Sequence, residues 1–77
     1  EFDYDSLKIY PNPSSGIFTI ERELFSENTP FQITDITGKI IVLGELTEKQ
    51  SQINLTAAQS GVYFLKTSNS VFRLLKN

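Results

Sequence analysis

Few residues in this chain could do chemistry, and each is judged by its neighbours. Glu21 and Glu23 stand two apart in "IERELF", on one face of an extended segment, as an acid–base carboxylate pair would. Such a pair works when apolar surroundings raise one pKa, and nothing apolar is arranged around these two, so they read as exposed charges. Ser14 and Ser15 are candidate nucleophiles, but the chain has no His to take their proton. A lysine-activated serine would need a spacing that is absent. Asp3-Tyr4-Asp5 is too short a cluster for a calcium loop. Cysteine is absent too, which excludes disulfides, thiolate metal sites and a cysteine nucleophile. Asn54-Leu55-Thr56 matches the N-glycosylation triplet, a pattern common by chance. The expectation is a non-enzymatic chain with no catalytic, metal or cofactor-binding residues and no cofactor.

Size and charge narrow the class. At 77 residues the chain is one domain, and domains of this size bury only about 60% of their unfolded surface. The nine acidic residues all lie at or before Glu48, against three bases there (Lys8, Arg22, Lys39), a balance of −6. Lys49, Lys66, Arg73 and Lys76 make the remainder +4, which gives the net −2. A pI near 4.9 lacks the basic footprint of a nucleic-acid binder. No apolar run approaches the roughly 20 residues of a membrane helix, so no membrane insertion is expected. The chain starts at Glu1 and reads as a piece excised from a longer protein, any targeting signal lying upstream. Residues 1–6 read as a linker, with Glu1-Phe2 as a cloning remnant, and residues 7–77 as the domain.

The elements that must position any site are strands. Period-2 alternation, β-branched and aromatic residues predict strands at Leu7–Tyr10, Gly16–Glu21, Phe31–Ile36, Ile40–Leu43, Ser51–Leu55, Gly61–Thr67 and Val71–Lys76. Seven short strands with turn signals about every ten residues indicate an Ig-like antiparallel β-sandwich of Greek-key type, monomeric when isolated. Gly38 supplies a positive φ in the turn Thr37-Gly38-Lys39. Thr56–Gly61 reads as a single helical turn with Thr56 as N-cap. Glu21, Arg22, Glu23 and Glu27 read as a solvated strand end and loop.

Two stretches stand out. In "YPNPSSG", Pro11 and Pro13 fix φ, donate no hydrogen bond and push Tyr10 and Asn12 toward extended conformations. The segment reads as a stiff rod that leaves one sheet and turns at Ser14-Ser15-Gly16 toward the next. In the last hairpin, a two-residue turn at Asn69-Ser70 would set Leu65 against Leu74, Phe64 against Leu75 and Lys66 against Arg73. Tyr63, Leu65, Phe72 and Leu74 then line one face. Val62, Phe64 and Leu75 line the other beside like charges that cost stability. Either loops cover this second face or a bulge shifts the register, or it is an apolar stripe flanked by cations, with Lys66, Arg73, Leu75 and Lys76 as candidate recognition residues.

These elements, in order, carry a resemblance. "LKIYPNPSSGIFTIE", "FQITDITGKII", "INLTAAQSGVYFLKT" and "VFRLLKN" resemble the C-terminal sorting domain (type A) of proteins exported by the type IX secretion system of Bacteroidota, over residues 7–77. The motif positions are Tyr10, Pro11, Asn12, Pro13, Gly16, Asp35, Gly38, Lys39, Leu55, Gly61, Val62 and Tyr63, with a basic end at Lys76. The resemblance implies an Ig-like sandwich that ends a larger Sec-exported cargo and passes through the periplasm. Its partners would be an outer-membrane translocon or shuttle and a sortase-like cysteine peptidase that removes it, leaving cargo at the cell surface or secreted. The alternative is a carbohydrate-binding or adhesive β-sandwich. Against it, there is no Trp, and Tyr10 and Tyr63 read as core-like strand residues, leaving little for a sugar platform.

Overall fold

The computed structural model describes residues 7–22, 28–68 and 70–77. Seven strands follow in order: β1 (Leu7–Tyr10), β2 (Ile17–Arg22), β3 (Thr29–Thr34), β4 (Ile40–Leu46), β5 (Gln50–Asn54), β6 (Gly61–Lys66) and β7 (Val71–Lys76). They form two antiparallel sheets, β1-β2-β5 and β4-β3-β6-β7. No described residue is helical. The chain changes sheet between β2 and β3, between β4 and β5, and between β5 and β6, the Greek-key course of an Ig-like sandwich.

Alternation drives the packing. Phe18 and Ile20 of β2, Phe31 and Ile33 of β3, Leu46 of β4, Ile53 of β5, Tyr63 and Leu65 of β6 and Leu74 of β7 point inward with Leu55 and are buried together. Each such side chain, fully removed from water, contributes about 1.5–3 kcal/mol before entropy is counted. Pro30 lies in β3, between two neighbours in the sheet, yet β6 pairs with β3 only from Gln32 to Thr34. Its missing donor therefore falls where β3 has no second partner.

The structure corrects several sequence-based expectations. β4 continues past Leu43 to Leu46, because the Phe31 ring lies over Gly44, where a Cβ would meet its Cζ at 2.7 Å. Gly44, outside the expected strand, leaves the space for an aromatic ring on the next strand. β3 begins at Thr29 and stops at Thr34, and a register shift at Ile33/Thr34 marks where the turn at 35–39 begins. Arg22 is buried, not solvated. Its Nη1 donates to Thr29 Oγ1 at 2.8 Å and its Nη2 to the Leu46 carbonyl at 3.3 Å, tying β2 to the opposite sheet. Thr56 does not cap a helical turn. The Asn54 side chain closes the loop instead, accepting from the Thr56 amide at 2.9 Å and the Thr56 hydroxyl at 2.7 Å. Glu23 and Glu27, the cluster Asp3-Tyr4-Asp5 and the linker 1–6 lie outside the described residues.

Candidate functional site

The segment after β1 does more than turn a corner. Both X–Pro peptide bonds in it, Tyr10-Pro11 and Asn12-Pro13, are cis, and bends at residues 11–13 stand in place of the stiff extended rod expected. It crosses to the outer edge of β7. The Asn12 side chain lies along that edge like a short piece of strand: its Nδ2 donates to the Arg73 carbonyl at 2.8 Å and its Oδ1 accepts from the Leu75 amide at 2.9 Å. Ser14 continues the match in parallel orientation, donating its amide to the Leu75 carbonyl at 2.9 Å and accepting from the Asn77 amide at 2.8 Å. Ser14 Oγ donates to the Ile17 carbonyl at 2.6 Å and accepts from the Gly16 amide, so the hydroxyl is committed to the turn. Unpaired edges invite foreign strands, and this clamp covers the edge of β7.

Tyr10 differs from its core-like expectation. It is 39% exposed, and its hydroxyl donates to Glu21 Oε1 and accepts from Gln50 Nε2, both at 3.0 Å. Glu21 is thus a structural acceptor on an exposed sheet face. Pro11 and Pro13 are exposed.

The terminal hairpin keeps its faces but changes its register. Lys66 pairs with Val71, Leu65 with Phe72, Phe64 with Arg73, Tyr63 with Leu74 and Val62 with Leu75. The loop is therefore four residues, 67–70, in place of a two-residue turn. The Thr67 amide donates to the Ser70 carbonyl, and the Thr67 hydroxyl accepts from the Ser70 amide at 3.1 Å. A shift of two residues preserves the alternation while separating Lys66 from Arg73, so the like-charge opposition is removed. Two rows now cross the outer face of the four-stranded sheet. One runs Leu43, Gln32, Lys66, Val71; the other runs Ile40, Thr34, Phe64, Arg73. Leu43 and Val71 are 72% and 61% exposed, while Val62, Phe64 and Leu75 are half-buried. Lys66, Arg73 and Leu75 thus share one surface. Lys76 has the opposite parity, at the rim beside Ser14.

The remaining motif positions build one end of the sandwich. Asp35 Oδ1 accepts from the Thr37 hydroxyl at 2.6 Å and from the Thr37 and Lys39 amides, and Gly38 closes the turn at φ +93°. The Thr37 hydroxyl above all, with the Lys39 and Thr37 amides and the Lys39 charge, holds the Asp35 carboxyl below the usual carboxylate range against the opposing effect of desolvation. The Asn54 loop repeats this geometry, so "DIT" and "NLT" are the same kind of turn. Leu55 is buried and its amide donates to the Gly16 carbonyl at 2.7 Å. Gly61 enters β6 at φ +151°. Tyr63 is buried, with its hydroxyl donating back to the Gln59 carbonyl. That is the tyrosine corner of Ig-like sandwiches. Sequence reasoning placed the ring in the core but missed this bond; the signal was a tyrosine opening a strand just after a loop. Between β4 and the 54–59 loop lies a cleft of about 460 Å3, lined by Ile41, Val42, Leu55, Ala58, Gln59 and Tyr63 among others. Among the described residues no group of acidic, His or Cys side chains could hold a metal ion.

The fold and this surface define an Ig-like module that offers a basic and apolar sheet face and a clamped last strand. The chain matches the secretion system C-terminal sorting domain over residues 8–76, and it belongs to that family, the type IX secretion C-terminal sorting domains. No curated protein matches it. Membership makes it a secretion sorting signal, implying interaction with the type IX secretion system and export to the cell surface or beyond. Sorting-signal domains of this kind are generally non-catalytic.

Proposed function

We propose that this domain directs a larger Sec-exported cargo from the periplasm through the outer-membrane type IX translocon by docking the outer face of β4-β3-β6-β7 on the translocon or its shuttle. A sortase-like cysteine peptidase then removes it, leaving the cargo at the cell surface or secreted. The observation that carries the reading is the placement of Lys66 and Arg73 among Ile40, Leu43, Phe64, Val71 and Leu75 on one exposed face. Apolar patches of this kind mark interaction surfaces, and the two cations favour a partner surface with an acidic rim. Lys76 adds positive charge at the edge of the same hairpin.

The test is export of a reporter that carries an upstream Sec signal and this domain at its C-terminus, in a type IX-competent host. Lys66→Glu with Arg73→Glu changes surface groups at a folding cost within about 0.5 kcal/mol each. The folded double variant is expected to accumulate in the periplasm, and Lys76→Glu alone to have a smaller effect. Normal export of the folded double variant would remove these cations from the mechanism. Retention of the wild-type fusion in the periplasm would defeat the translocation reading itself.

A further inference from the structure

The sandwich has four sheet edges, and three are protected. β7 is covered by Asn12 and Ser14. β1 has four residues and runs into Pro11, while β5 has five, four of them polar. β4 is different. It is seven residues long, lacks proline and, from Ile40 to Gly44, lacks charge. Among the described residues no strand pairs with its outer side. Ile40, Ile41 and Leu43 on it are exposed. Beside it opens the cleft of about 460 Å3, lined by Leu55, Ala58 and Tyr63 and by Ile41 and Val42 of β4, with Asp35, Asn54 and Gln59 as its polar part.

We infer that the free edge of β4 and this cleft form a second binding site, adjoining the face proposed above at Ile40 and Leu43, which takes an extended segment of a partner protein as an added strand. The main-chain groups on the outer side of β4 define the ligand class, since a row of strand amides and carbonyls is best satisfied by another strand. The cleft defines the side chain. Cross-strand neighbours lie on the same face, so the partner residue opposite Val42 points toward the cleft and a large apolar or aromatic group there fills it. Charge sets direction. Lys39 precedes the neutral run and Glu45 follows it, so an antiparallel partner carries a cation at its first position and an anion at its last.

A second copy of this chain satisfies the charges, with Lys39 of one opposite Glu45 of the other, but fills the cleft poorly. Antiparallel pairing of two β4 strands about their centre would set Val42 against Val42, a small side chain for this volume. A heterologous strand fits better.

The probe is a blocked seven-residue peptide with Arg first, Phe at the centre, Glu last and Val or Thr elsewhere, titrated into the 77-residue chain and followed by amide chemical shifts. Saturable shifts on Ile40–Leu46, Leu55–Gln59 and Tyr63, with Kd below about 1 mM, are expected. Replacing the central Phe by Ala, or N-methylating alternate amides on the pairing side, is expected to weaken binding about tenfold or more. Ala57→Trp, at an exposed position lining the cleft, is expected to abolish the shifts while the spectrum stays dispersed. If that variant unfolds, the two modified peptides decide alone. Shifts confined to the Lys66–Arg73 face, no saturable binding, or a concentration-dependent dimer that uses β4 without peptide would each overturn the inference.

Discussion

Gly16 and Gly61 share a φ near +150°, yet substitution should affect them unequally. A Cβ on Gly61 meets nothing within 4 Å, whereas on Gly16 it would stand 2.6 Å from Thr56 Cγ2 and 2.9 Å from Thr56 Cα. Gly61→Ala should therefore cost only the conformational strain, about 1–3 kcal/mol. Gly16→Ala carries that strain and also forces the 54–56 loop away, breaking the bond from the Leu55 amide. Urea midpoints should rank wild type above Gly61→Ala and Gly61→Ala above Gly16→Ala; equal midpoints would remove the close approach from the account. Asp35 makes a different prediction. Its folded pKa is depressed, chiefly by the Thr37 hydroxyl, so its ionised form stabilises the fold above the ordinary carboxylate pKa. That contribution is lost as pH falls through the lower, folded value. Asp35→Asn should lower the thermal midpoint at neutral pH and flatten the decline in stability below about pH 4, so that variant and wild type converge in acid when thermal midpoint is measured against pH.

Strands were the most legible element because they are short, alternating and separated by glycine, proline and Asx turns. All seven were readable, with ends displaced by a few residues. The residues that escaped are those whose role depends on a distant partner. The extension of β4 through Gly44 follows only once Phe31 is seen above it, and Arg22 reads as solvated until Leu46 and Thr29 are found at its guanidinium. The hairpin register escaped because the Thr67 hydroxyl selects the loop length, and alternation alone cannot distinguish registers two residues apart. The candidate face was legible as a property of β6 and β7, but its extension over Ile40 and Leu43 of β4 required the sheet order. The clamp on β7 gives the test at this scale. Asn12→Ala removes both side-chain bonds to the edge strand, at about 1 kcal/mol each. It should speed amide hydrogen exchange at Leu75 more than at Ile20, deep in the other sheet. Uniform acceleration at both sites would mean that Asn12 acts on global stability and does not hold the strand.

At the scale of the whole molecule, Asn12 and Ser14 meet residues 73–77 across more than sixty positions of sequence. The chain cannot complete its second sheet until β7 has been made, because Leu74 belongs to the core and the 12–14 segment makes its bonds to β7. A chain ending at Ser70 should show no cooperative thermal transition, read by circular dichroism against the full 77 residues. A sharp transition in the shortened chain would show that β7 is an ornament on a fold already closed. If β7 is indispensable, the clamp acts as a seal: the folded shape certifies that translation has run through the last strand. An exporter that accepts only the folded domain then rejects prematurely terminated chains by shape alone, without inspecting the cargo.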